Sequence, residues 1–259
     1  MLDHDILPTS LSAFGHATLA AVILGVYLYF GEPFVGVALH RAFERAEQVD
    51  RYARRWLYTR LLILEWGLVA LCAATVIMAP QVSAAALGLA LPGTLLGWIL
   101  TGITVVAGLA VLAATARAVE TMRRLPREQV IRSLGGPSVV AMLPRTSAER
   151  RLFGLVSLSA GLAEEFVYRA FFLAVVTAIA PGFPIAVAAV VIVVGFGLAH
   201  AYQGPTGIAV TMVFGAVLAA LYILTGSLLA PVILHILIDV RGIPLGRLLA
   251  TPARHRRHR

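Results

Sequence analysis

Residues 152–179 read LFGLVSLSAGLAEEFVYRAFFLAVVTAI. The run exceeds the ~20 apolar residues that cross a bilayer core. Yet Glu164, Glu165 and Arg169 sit near its centre. An ionisable side chain at such depth costs at least ~2.5–3.5 kcal/mol on insertion scales. The stretch therefore reads as a membrane helix in which charge has a purpose.

Six other apolar runs accompany it, at about 12–30, 61–79, 95–116, 184–200, 207–225 and 228–240. Only helices suit these spans, because each backbone amide must be satisfied within its own segment. Turn signals separate them at Pro80, Pro92–Gly93, Pro181–Gly182 with Pro184, Gly204–Pro205 and Gly226–Ser227. The composition agrees: 59% of the 259 residues are hydrophobic and 13% charged, where a soluble domain carries ~25% charged residues. That balance excludes an ordinary soluble enzyme, a disordered chain and a small disulfide scaffold. The single Cys72 lies within an apolar run and suits helix packing.

All 21 basic residues are Arg, which we read as GC-rich coding bias, and the net charge is +8. A basic chain can bind nucleic acid, but these arginines lie between apolar runs and read as topology signals. We therefore expect no nucleic-acid partner. Arg41, Arg45, Arg51, Arg54, Arg55 and Arg60 fall between the first two runs. Arg117, Arg123, Arg124, Arg127, Arg132, Arg145, Arg150 and Arg151 fall between the third and fourth. Arg241, Arg247, Arg254, Arg256, Arg257 and Arg259 follow the last. The intervening connections at 80–94, 180–184 and 225–228 have no basic residue. Under the positive-inside rule, seven spans put every Arg-rich segment on the cytoplasmic side. The expected fold is all-α: a polytopic bundle of about seven transmembrane helices, N-terminus outside and C-terminus cytoplasmic. Asp3 and Asp5 stand where a signal peptide would be basic. The 117–151 connection contains Gly135–Gly136–Pro137 and suits a surface helix or a plain connector.

Ionisable groups gather in the later runs. Glu165 and Arg169 are four residues apart on one helix, share a face and can pair. Glu164 is turned by about 100° from Glu165 and is free to face elsewhere. Phe196 and His200, and likewise His235 and Asp239, have the same four-residue spacing. The first three runs are poorer, and Glu65, five residues from Arg60, is expected near the interface. A free carboxylate can deprotonate a water, with or without a metal on that water. Two histidines and a carboxylate can hold Zn²⁺ with an open position. Alternatively, such polar groups can stabilise a tetrahedral oxyanion.

Glu164-Glu165-x-x-x-Arg169, Phe196-x-x-x-His200 and His235-x-x-x-Asp239 together resemble the three-motif signature of the CPBP family. That family comprises the type II CAAX prenyl endopeptidases and their bacterial Abi relatives, described as intramembrane metalloproteases. The resemblance covers roughly 150–240 and rests on the order and spacing of short motifs. It implies that Glu164 and His200 activate the hydrolytic water. His235 and the residue at 239 would line the oxyanion side, or Glu164, His200, His235 and Asp239 would hold a metal. Glu165 and Arg169 would be the structural ion pair. The family often has Asn where this chain has Asp239. Asn donates to an oxyanion, whereas ionised Asp only accepts, so Asp239 must be protonated, bind a metal or orient His235.

The chain thus divides into an N-terminal part (1–150) with three spans, a catalytic-type core of four helices (151–241) and a basic cytoplasmic tail (242–259). The expected function is an intramembrane endopeptidase acting on a membrane-associated peptide or protein near the cytoplasmic face of a bacterial membrane. Zinc and a metal-free Glu/His mechanism both fit the residues. Two other readings are a silent membrane scaffold or bacteriocin-immunity protein, and a secondary transporter. The complete motif set opposes the first. Repeated halves, common in transporters, are missing here.

Overall fold

The computed structural model describes residues 7–250, and every regular element among them is helical. The long elements are α1 (Leu11–Glu47), α2 (Ala53–Ile77), α3 (Leu95–Met122), and the later helices described below. Two short helices, α4 (Arg127–Ser133) and α5 (Pro137–Met142), lie between α3 and the core, where one surface helix was expected. Gly135 and Gly136 supply the left-handed turn between them, at φ 95° and 98°.

α1 runs well past residue 30, where the first apolar run ends. Pro33 has no N–H and its ring presses on the carbonyl of the preceding turn. A π segment, Tyr27–Gly31, widens the helix just before it and lets the helix continue. Glu32 is carried into the bundle on this continuation.

α6 (147–179) is one helix with a π centre: Ser147–Glu164 is α, Glu165–Phe172 is π, and Leu173–Ile179 is α again. A capping box fixes its start. The Glu149 carboxylate accepts from the Thr146 N–H at 2.9 Å, and the Glu149 N–H bonds the Thr146 hydroxyl at 3.2 Å. The helix therefore begins earlier than the apolar run. α7 (Ile185–Ala199), α8 (Gly204–Thr225), α9 (Leu229–Asp239) and α10 (Gly242–Ala250) complete the bundle. The expected tail is thus helical up to Ala250, and the arginines beyond it lie outside the described residues.

α6 packs on α2 and on α9, and α9 packs on α3. The main core joins Phe14, Leu28, Phe171, Phe172, Ile192, Phe196 and Tyr222. A smaller one joins Phe43, Leu57, Tyr58 and Val156. Outside these, Ile63, Trp66 and Ile77 of α2 and Leu95, Ile103 and Val106 of α3 are exposed. Such an apolar surface needs lipid rather than water. Five helical stretches among the described residues are long and apolar enough to cross a membrane: Leu11–Glu47, Ala53–Ile77, Leu95–Met122, Ala201–Thr225 and Leu229–Leu249. α7 is equally apolar but has 15 residues. The molecule is an integral membrane protein.

Side-chain ties collect the Arg-rich segments at one end. Arg54 pairs with Glu47 and donates to the Ala141 carbonyl at 2.8 Å. Arg145 reaches the same Glu47 at 3.4 Å, and Tyr58 donates to the Met142 carbonyl at 2.5 Å. Gly242 lies against Phe153 and Leu143, bringing α10 to the same end. At the other end the Arg-free loop 78–94 folds inward. Its Ala90 carbonyl accepts from the Ser227 hydroxyl at 2.6 Å, and its Gly88 carbonyl from the Leu228 N–H at 3.0 Å.

Candidate active site

The π segment of α6 sets the site. Glu165 is fully buried, and its Oε1 accepts from Arg169 Nη1 at 3.0 Å and from His235 Nδ1 at 2.6 Å. The expected four-residue ion pair is therefore present. Its link to His235 was not legible in the sequence, because it joins residues 70 apart. Arg169 supplies the counter-charge that a buried carboxylate needs, and His235 adds a second hydrogen bond to it. Arg169 also donates to the Gly215 carbonyl at 3.3 Å and lies 4.1 Å above the centre of the Phe196 ring. Gly215 makes room: a Cβ there would meet Phe196 Cδ1 at 2.9 Å.

His235 faces three carboxylates. With Nδ1 held by Glu165, its Nε2 lies 3.8 Å from Glu164 Oε2 and 3.7 Å from Asp239 Oδ2. These separations exceed a hydrogen bond, yet allow one oxygen atom to bond two of the groups. The close approach of α6 and α9 is possible because residue 161 is Gly. A Cβ there would lie 2.5 Å from Ile236 Cγ1 and 3.2 Å from the Ile236 backbone nitrogen.

His200 follows the last turn of α7. Its Nδ1 lies 2.8 Å from the Phe196 carbonyl. A carbonyl only accepts, so Nδ1 is the donor and Nε2 of the neutral ring keeps its lone pair. Phe196 is the common floor, with its ring centre 4.8 Å from His200, 6.1 Å from His235 and 5.2 Å from Tyr168.

Glu164, unlike Glu165, lines a cavity of about 130 Å³ together with His200, Tyr168 and Tyr202. His235 and Asp239 do not line this space and meet it at Glu164. Tyr202 also lines a groove at the Arg-rich end, beside His40, Glu44 and Ser138. The cavity thus neighbours that end of the bundle.

Two more carboxylates share the cavity, and both come from the N-terminal helices. Glu65, expected near the interface, instead lines it from α2, and its Oε2 is buried with no hydrogen-bond partner. Leu61, Leu64 and Leu68 line the same space, so Glu65 lies within the inward stripe of α2. Proximity to Arg60 in sequence was the wrong guide; helical phase was the right one. Glu32 lines the cavity from α1 and accepts from the Tyr168 hydroxyl at 2.6 Å. It too shares a helical stripe with Val35, Gly36 and Leu39. The sequence reading missed it because it follows the first apolar run.

Among the described residues, no three His, Cys, Asp or Glu side chains are placed to hold a metal ion. His235 Nδ1 is held by Glu165 and His200 Nδ1 by the Phe196 carbonyl, which leaves the Nε2 atom of each ring as its remaining polar group. The steps derived below therefore use side chains alone.

Residues 147–241 match the family described as Type II CAAX prenyl endopeptidase Rce1-like. No curated protein and no solved structure gives a match. The matched segment starts with α6 and reaches Arg241, so it contains Glu164, Glu165, Arg169, His200, His235 and Asp239 and leaves α1 to α5 outside. That segment is thus similar to the CAAX-type intramembrane proteases, and the likeness supports that kind of function.

Proposed function

We propose that the protein hydrolyses a peptide bond of a membrane-associated peptide or protein, with Glu164 as general base. The observation that carries this reading is the cavity that joins Glu164 to His200 while Glu165 holds His235 alongside. A water between Glu164 and the His200 Nε2 lone pair gives its proton to Glu164. The resulting hydroxide attacks the carbonyl carbon. His235, with Nδ1–H donated to Glu165, presents Nε2–H to the developing oxyanion. Glu164 then returns the proton to the leaving nitrogen as the C–N bond breaks, giving a carboxylic acid and an amine. Asp239, 3.7 Å from His235 Nε2, helps to orient that imidazole. That gives the Asp at 239 a use without making it the oxyanion donor.

The Arg-rich end is assigned to the cytoplasm, with seven spans, the N-terminus outside and the C-terminus inside. The ties among its three Arg-rich segments and the Arg-free loop at the other end support this assignment. α6 counts as a span although it carries three ionisable groups, since those groups face protein. The bacterial cytoplasmic membrane is the proposed location, and the bilayer and a membrane-bound substrate are the proposed partners.

Purified wild type and Glu164→Gln, incubated with a panel of membrane-anchored peptides in detergent, test the function. Cleavage by wild type alone is expected. Equal cleavage by both, or none by either across the panel, overturns the assignment. Activity that persists after thorough chelation, with no zinc co-purifying, is the expected result of the metal-free steps; loss on chelation and recovery with zinc overturns them.

A further inference from the structure

The matched segment does not contain every group in the cavity. Glu32 comes from α1, immediately after the π segment Tyr27–Gly31. Tyr168 comes from the π segment of α6. Their 2.6 Å contact joins the two irregular helix segments, and π segments concentrate at functional sites. The Tyr168 hydroxyl donates and the Glu32 carboxyl accepts, at the short end of the O–H···O range. Tyr168 is otherwise buried, with its ring on Phe196 and Phe172.

Tyr168 and Glu164 lie four residues apart and line the same cavity. Side chains at that spacing share a helix face. The buried hydroxyl must donate to some acceptor, and three carboxylates line its cavity, Glu32, Glu65 and Glu164, of which Glu164 lies on its own helix face. It donates to Glu32, while Glu164 Oε2 has no hydrogen-bond partner. A donor placed on Glu164 would occupy a lone pair that the water needs. We propose that Glu32 is a positioning residue of the hydrolytic site: it holds the Tyr168 hydroxyl away from Glu164 and so keeps that carboxylate free as the base. This rests on Glu164 being the base. It adds that a residue outside the family segment prepares it.

The inference gives a signature that simple packing would not. Glu32→Ala releases the Tyr168 hydroxyl to Glu164 and lowers kcat by about tenfold or more, the scale of one hydrogen bond to a charged group, with KM little changed. Glu32→Gln keeps an amide oxygen that accepts the same O–H and stays within about threefold of wild type. The double substitution Glu32→Ala/Tyr168→Phe removes the displaced hydroxyl and regains the activity of Tyr168→Phe alone, above that of Glu32→Ala. A double variant as slow as Glu32→Ala, or a Tyr168→Phe enzyme as slow as Glu32→Ala, overturns the proposal.

A second readout needs no substrate. An experimental structure of Glu32→Ala should show the Tyr168 hydroxyl moved to within hydrogen-bond distance of Glu164. A hydroxyl that stays away from Glu164 contradicts the proposal even where no peptide is cleaved. Loss of cleavage by wild type with that rearrangement present would instead count against the protease reading alone.

Discussion

Glu165 organises Arg169 and His235 through one oxygen. Arg169 and His235 both reach its Oε1, and each is as buried as Glu165 or nearly so. Replacing Glu165 by Gln leaves a buried guanidinium without its counter-charge, and breaking a buried pair costs about 3–5 kcal/mol. Thermal unfolding in detergent should show a large drop in Tm, and His235 should lose its fixed orientation and its activity. An unchanged Tm would deny that the pair is structural. Asp239 acts more weakly, by charge at 3.7 Å rather than by a hydrogen bond. Asp239→Asn should lower kcat by about tenfold while leaving Tm nearly unchanged, as the loss of one partly screened charge contact would. These pairings were partly legible in the sequence. Every contact at a spacing of four could be read, namely Glu165 with Arg169, Phe196 with His200 and His235 with Asp239. The Glu165–His235 bond and the Glu32–Tyr168 bond could not, because helix phase within one segment says nothing of which segment lies opposite.

Helix irregularity and helix approach decide how the site is assembled. The seven apolar runs correspond to helices, but their ends moved where local chemistry ruled. A capping box started α6 early, and a π segment carried α1 through Pro33. Neither is visible to a hydropathy profile, which registers apolar runs and not the hydrogen bonds at their ends. The α6–α9 contact at Gly161 is the most sensitive of these features. Gly161→Val places new carbons against the Ile236 backbone, where overpacking typically costs about 1–3 kcal/mol. Helix content by circular dichroism should persist while cleavage is lost, since α9 carries His235 away from Glu165. Retained activity would mean that the two helices need not approach so closely.

Across the whole molecule, the N-terminal helices complete the cavity rather than merely anchoring the core. Their part in it was hidden because Glu32 and Glu65 look like isolated charges until α1 and α2 are seen beside α6. The opposite distribution of arginine at the two ends gives the topology a direct check. Cys72 is fully buried, so an impermeant thiol reagent should report only on introduced cysteines. Ser133→Cys on α4 and Ala84→Cys in the Arg-free loop are both at exposed positions. In intact cells the reagent should label Ala84→Cys and spare Ser133→Cys; inverted membranes should reverse this. Labelling of both from one side would remove the odd number of spans.

The central claim is that Glu164 activates water for attack on a peptide bond. Cleavage of a membrane-anchored peptide in H₂¹⁸O, by purified wild type and Glu164→Gln side by side, measures it most directly. One ¹⁸O atom should enter the new carboxyl terminus with wild type, and no product should form with Glu164→Gln. Cleavage at the same rate and with the same label by the Gln enzyme would contradict it.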